Sequence, residues 1–250
     1  MEYRGIIKET DGRSVERSEI ILMDLKDKII QSAYELFSSK GYEKTTIGEI
    51  IKQAECSKGG FYHHFKSKEE ILEVIVSNYV DTLSKLYEKV LLNNDDPFIS
   101  KFNAIFKVIN QYKLNQLKEW RKINNVLIFI GNDRILRQLE KQFKEVTTRT
   151  YLDVIQHGKR QGIIKAEYPE LLAELCTREV LWIYEAAAKA IKNENYYKDE
   201  NMFIQLLNFS ENLISNALGL KKQEVEFKDV ALSYLHNVRD YYLTYKEGSR

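Results

Sequence analysis

Only two prolines, Pro97 and Pro169, stand in the whole chain, and the residues between and around them are rich in helix formers. Proline costs about 3 kcal/mol in a helix interior and glycine about 1 kcal/mol. A chain of 250 residues with 2 Pro and 11 Gly is therefore free to form long helices almost throughout. Few breakers and many helix formers point to an all-α fold. The length allows one to two domains and a large buried core.

Helical period and capping residues divide the chain. Residues 1–22 are charged and lack a sustained period, so 1–23 reads as an N-terminal arm. Met23 directly precedes the first convincing helix and is a candidate start residue. Asp24 is placed to cap a helix over 25–40, with Ile29, Ile30, Ala33 and Phe37 on one face and Gly41 just past the end. Thr46 with Glu49 forms a capping-box pattern opening a second helix that ends near Ala54. Ser57 can cap a short third helix, and Ser67 a fourth that carries apolar residues at helical spacing to Val90. The clearest break is Asn93-Asn94-Asp95-Asp96-Pro97. Beyond it, helices are expected after Pro97, over 118–130, from Asp133 to about Gln161, from Pro169 to about Lys192, over 201–218, and over 225–245. Residues 193–200 read as a polar loop. These patterns give domain boundaries of 24–84 for a small helical head and 85–250 for a larger helical body.

The short helices of 46–65, joined by Glu55-Cys56, must share a core with the first helix. Such a three-helix unit can lay its third helix in a DNA major groove while the second crosses the backbone. Global charge does not carry this reading, because the chain has a formal net charge of only +1. Local charge does. From 57 to 68 the chain holds Lys58, Lys66, Lys68, His63 and His64 and no acid. Phe61 and Phe65, four apart, face inward, leaving Lys58, Tyr62, His63 and His64 to face out. The adjacent Gly59 and Gly60 weaken a short helix but let its backbone approach another surface closely.

The string Ala33, Leu36-Phe37, Gly41-Tyr42, Thr45-Thr46-Ile47, Ile50, Ala54, Ser57-Lys58-Gly59-Gly60-Phe61-Tyr62-His63-His64-Phe65, Ser67-Lys68-Glu69 and Leu72 resembles the N-terminal domain of TetR-family regulators. The resemblance covers about 24–72. It implies a helix-turn-helix DNA-binding domain followed by an effector-binding and dimerisation domain. It implies that Thr46 contacts phosphate, and that Lys58, Gly59, Gly60 and His64 lie against base edges or nearby backbone. It implies that Tyr62 and Lys68 clamp phosphates, with His63 in either role. Gly48 departs from the family, standing where many relatives carry a larger polar residue. The function implied is that of a homodimeric repressor, released from a near-palindromic DNA operator by a small-molecule effector.

The body offers aromatic residues in quantity. Phe102, Phe106, Trp120, Phe129, Tyr151 and Trp182 are candidates to line an effector pocket, and plain core is the competing reading. The helices at 169–192 and 201–218 are the candidate dimer interface, as two such hairpins make a two-fold four-helix bundle. Cys56 and Cys176 are too few and too far apart in sequence for a disulfide framework, which suits a reducing cytoplasm. His63 and His64 lack a third metal ligand at helical spacing, so no metal or cofactor is expected. The N-terminus lacks a secretory signal, and no apolar run is long enough to span a membrane. No acid, base and nucleophile set converges, so an enzyme is not expected. An enzyme or a helical protein-interaction module with an incidental head is the alternative.

Overall fold

The computed structural model describes residues 24–92, 96–120, 133–192, 196–220 and 224–248. Among these residues the secondary structure is wholly helical: α1 Leu25–Lys40, α2 Ile47–Gln53, α3 Lys58–His64, α4 Lys68–Leu92, α5 Phe98–Trp120, α6 Asp133–Arg160, α7 Pro169–Lys192, α8 Tyr196–Leu218 and α9 Lys228–Gly248. The predicted all-α class is observed.

Capping chemistry sets the first four boundaries. The Asp24 carboxylate accepts from the Lys26 amide at 3.2 Å at the start of α1. Gly41 follows α1 with φ of +88°, a region that disfavours a side chain. Thr46 and Glu49 form the reciprocal capping box of α2. After α2, the Cys56 amide donates to the Ile51 carbonyl and the Glu55 amide to the Lys52 carbonyl. This pairing is a Schellman closure, and it places Glu55 at φ +51°, a position that glycine usually takes. Ser57 caps α3 by accepting from the Gly60 amide at 2.9 Å, and Ser67 caps α4 by accepting from Glu70 at 3.2 Å.

Two apolar cores result. The head core holds Ile29, Ala33, Phe37, Tyr42, Ile50, Phe61, Phe65, Ile71 and Val76, and runs up α4 as far as Val80. The body core starts on the same helix at Leu83 and Tyr87 and continues through α5 to α9. Helix α4 thus belongs to both. Val146 of α6 packs against both cores as well. Polar ties brace the head: the Glu35 carboxylate accepts from Gln31 at 2.8 Å and from Gln53 of α2 at 2.7 Å.

Three elements differ from the sequence reading. Residues 196–200, expected in a loop, form the first turn of α8. Asp199 sits in that turn, where the helix dipole favours an acid, and Glu200 bonds His236 of α9 at 2.8 Å. That second contact joins residues far apart in sequence and leaves no local mark. The helix expected over 118–130 overlaps the end of α5, and 121–132 lie outside the described residues. The last helix begins at Lys228, where the Glu211 carboxylate accepts the amides of Phe227 and Lys228 at 2.7 Å each.

Candidate nucleic-acid interface

Helix α3 buries Phe61 in the head core, followed there by its C-cap residue Phe65, and turns Lys58, Gly59, Tyr62 and His63 to solvent. Tyr62 is 47% exposed although its ring contacts Phe61 edge-on. His64 is half-buried and its ring meets His63 at 5.0 Å. No acidic residue lies in the first turn of α3. The exposed face therefore combines cation, hydroxyl and imidazole groups with no carboxylate on the same helix. Such a face suits a polyanion, since ammonium, ring N–H and backbone N–H groups all donate to phosphate oxygens and base acceptors.

The two glycines differ in what surrounds them. A Cβ on Gly60 would stand 3.2 Å from Leu25 Cδ2 and 3.2 Å from Ser57 Oγ. Gly60 thus has an internal reason, the close approach of α3 to the start of α1. A Cβ on Gly59 would meet only Ser57 Oγ, at 3.9 Å. Only Gly59 leaves an open outward backbone. Gly48 on α2 is exposed with nothing within 4 Å of its missing Cβ.

Two residues expected against phosphate have other commitments. The Lys68 ammonium donates to the Tyr42 carbonyl at 2.8 Å and to the Thr45 carbonyl at 3.1 Å, and it lies 4.2 Å from the Tyr42 ring centroid. The Tyr42 hydroxyl in turn donates to Glu69 at 2.8 Å. Lys68 therefore ties the α1–α2 loop to α4. Thr46 is exposed, but its amide and hydroxyl both donate to Glu49, at 2.9 and 2.7 Å. Glu49 also pairs with Lys40. Hydrogen bonds from Lys40 and Thr46 hold the Glu49 carboxyl well below the usual range, at about 2. The start of α2 is thus closed by its own carboxylate.

In the body, Phe102, Phe106 and Tyr151 come together in the buried core, Phe102 meeting Tyr151 at 5.1 Å. Trp182 is elsewhere, 46% exposed on α7 and edge-on to Phe209 of α8 at 6.3 Å. The side chain of Trp120 and all of Phe129 lie outside the described residues. On α7, Arg178 is exposed, while the neighbouring Glu179 is buried and accepts from the Ser210 hydroxyl at 2.6 Å. Cys176 is buried, which pushes its thiol up and away from the reactive thiolate.

Lys113 escaped the sequence reading. It sits one turn beyond Asn110 on α5, and its ammonium lies 3.2 Å from the Tyr184 ring centroid, 5.6 Å from Phe143 and 5.8 Å from Tyr234. Burial draws it down to about 7. Three helices distant in sequence supply those rings, so no local pattern marks the site.

Among the described residues no helix is long and apolar enough to cross a membrane. Residues 29–75 match the family model described as bacterial regulatory proteins, tetR family. The chain is 28% identical over 204 residues to the HTH-type transcriptional regulator QacR of Staphylococcus aureus, covering 79% of this chain and 100% of the relative. It is 26% identical over 167 residues to the HTH-type transcriptional repressor KstR2 of Mycolicibacterium smegmatis, covering 63% and 76%. The solved structure of the SmeT–triclosan complex superposes with a TM-score of 0.58 at 18% identity, over 80% of this chain and 93% of that one. The last shows likeness of fold, and the first two are named as regulators, not as enzymes. Residues 29–75 thus carry the N-terminal domain of the tetR family, and over 79% of its length the chain is similar to a transcriptional regulator that has such a domain.

Proposed function

We propose that the protein is a homodimeric repressor that reads a near-palindromic DNA operator through α3 and is released by a small-molecule effector held in the body. The observation that carries this reading is the outward face of α3, where Lys58, Gly59, Tyr62 and His63 are exposed with no acid on the helix. Lys58 and His63 supply donors to base edges and phosphates, Tyr62 a phosphate-binding hydroxyl, and Gly59 close backbone approach. His64 adds a donor at the edge of this face. Thr46, Gly60 and Lys68 act in support: Gly60 sets α3 against α1, and Lys68 and Thr46 hold the α1–α2 loop and the start of α2. Residues 24–84 form the head and 85–250 the effector and dimerisation domain, acting on DNA in the cytoplasm.

Dimerisation is supported by the α7–α8 pair. Leu171, Trp182, Met202 and Phe209 are 63%, 46%, 61% and 55% exposed on these two helices. Large apolar side chains grouped on one helical hairpin favour burial against a second copy. A two-headed dimer also gains from linking two weak binding events.

Helix α4, shared by both cores, and α6, which reaches the head through Val146, are the routes by which an effector shifts the heads. Release requires the effector to bind the non-DNA arrangement more tightly than the DNA-bound one. The test is to select fragments bound by the full chain from genomic DNA. The expected product is an inverted repeat with half-site centres about 34–36 Å apart, or a multiple, bound by two chains. Fragments without a shared motif would refute sequence-specific regulation.

A further inference from the structure

The Lys113 ammonium has no acidic partner among the described residues. It faces the rings of Tyr184, Phe143 and Tyr234. A cation–π contact is worth about 2 kcal/mol when desolvated, less than the several kcal/mol needed to strip water from an ammonium. The structure compensates in part by favouring the neutral amine, which is the sense of the fall to about 7. Two further buried polar atoms of α5 and α7 lack partners among the described residues. The Tyr184 hydroxyl is buried without a hydrogen bond among the described residues. So is Asn110 Oδ1, while Asn110 Nδ2 donates to the Phe106 carbonyl at 2.7 Å. The Lys113 ammonium and the unused Tyr184 hydroxyl thus sit among Phe106, Phe143 and Tyr234.

We propose that this cluster binds an anionic, mainly apolar small molecule, with its carboxylate or sulfonate on Lys113 and its hydrocarbon or ring body against the aromatic side chains. The anion supplies the missing counter-charge and accepts from the Tyr184 hydroxyl. A neutral molecule of the same shape gains the apolar contacts alone. This assignment rests on the body being the effector domain and names the chemical class of the effector.

The test uses the full chain and a matched pair of fluorescent probes, anilinonaphthalene sulfonate and N-phenyl-naphthylamine, the same rings without the sulfonate. One saturable site per chain is expected, with the sulfonate bound about tenfold or more tighter than its neutral counterpart, as for a hydrogen bond to a charged group. Lys113→Met removes that preference while keeping the neutral probe, and Lys113→Arg retains it. In the wild type the preference shrinks as pH rises from about 6 to about 9, because the amine loses its proton across that range. Tyr184, Tyr234, Tyr79 and Tyr112 stay neutral there, burial holding each above its ordinary value. The pH series decides the matter if the Met variant does not fold. Absence of saturable binding, equal affinity for the two probes, or a preference that survives Lys113→Met or is flat with pH overturns the assignment. Release of operator DNA by the sulfonate is scored separately. Binding at Lys113 without release counts against the effector reading and not against the anion site.

Discussion

The ammonium of Lys68 lies 4.2 Å from the Tyr42 ring centroid and donates to the Tyr42 carbonyl at 2.8 Å. This pair fastens the loop after α1 to the first turn of α4, and with it the position from which α2 starts. Lys68→Ala is expected to lower stability by about 1–2 kcal/mol, the sum of a partly exposed cation–π contact and charged hydrogen bonds. Thermal unfolding without DNA checks this. A variant as stable as wild type but weaker on DNA would return Lys68 to the role of a phosphate clamp.

The two adjacent glycines of α3 should separate. Gly59→Ala has open space and gains helix propensity, up to about 1 kcal/mol, so stability holds or rises. Its added methyl group stands on the outward face, so DNA affinity falls. Gly60→Ala must push against Leu25 and Ser57 at 3.2 Å each, and stability does not rise. Measuring both properties for both variants tests the assignment. Equal behaviour of the pair would contradict it.

Gly158 marks another close approach. A Cβ there would stand 2.5 Å from Cδ2 of Phe98, a ring that is 1% exposed. Gly158→Ala is expected to cost about 1–3 kcal/mol, as for overpacking elsewhere in cores. Combining it with Phe98→Leu should cost less than the sum of the two changes, because the smaller side chain makes room. Additive losses in chemical denaturation would show that the two do not share the space.

Acid should act on the α2 cap. The Glu49 carboxyl is lowered to about 2 by Lys40 and Thr46, so its folded value lies below its unfolded one. Its stabilising effect is then complete above the unfolded value of about 4.3 and is lost as pH falls toward 2. Glu49→Gln should flatten that part of the stability profile. An unchanged acid limb would show that the cap does not stabilise the charged form.

Much of the head was legible in sequence because its boundaries are local. Asp24, Thr46 with Glu49, Ser57 and Gly41 each act within four residues of where they stand, and each stops or starts a helix as expected. The Phe61–Phe65 spacing likewise told which side of α3 turns inward. What sequence could not show depends on contacts between distant segments. The role of Gly60 needs Leu25, that of Gly158 needs Phe98, and the environment of Lys113 needs α6, α7 and α9 to converge. Trp182 illustrates the same point from the other side. Its apolar character suggested a pocket, yet its position on α7 turns it outward beside Phe209.

The central claim is that the exposed face of α3 reads DNA. It is tested by titrating the selected operator with wild type, Lys58→Ala and Tyr62→Ala proteins at two salt concentrations. Each substitution is expected to weaken binding about tenfold, with Lys58→Ala also lowering the salt dependence if it meets phosphate. Folding of both variants should be unaffected, since Lys58 and Tyr62 are exposed. If both variants bind the operator as tightly as wild type, α3 is not the reading head.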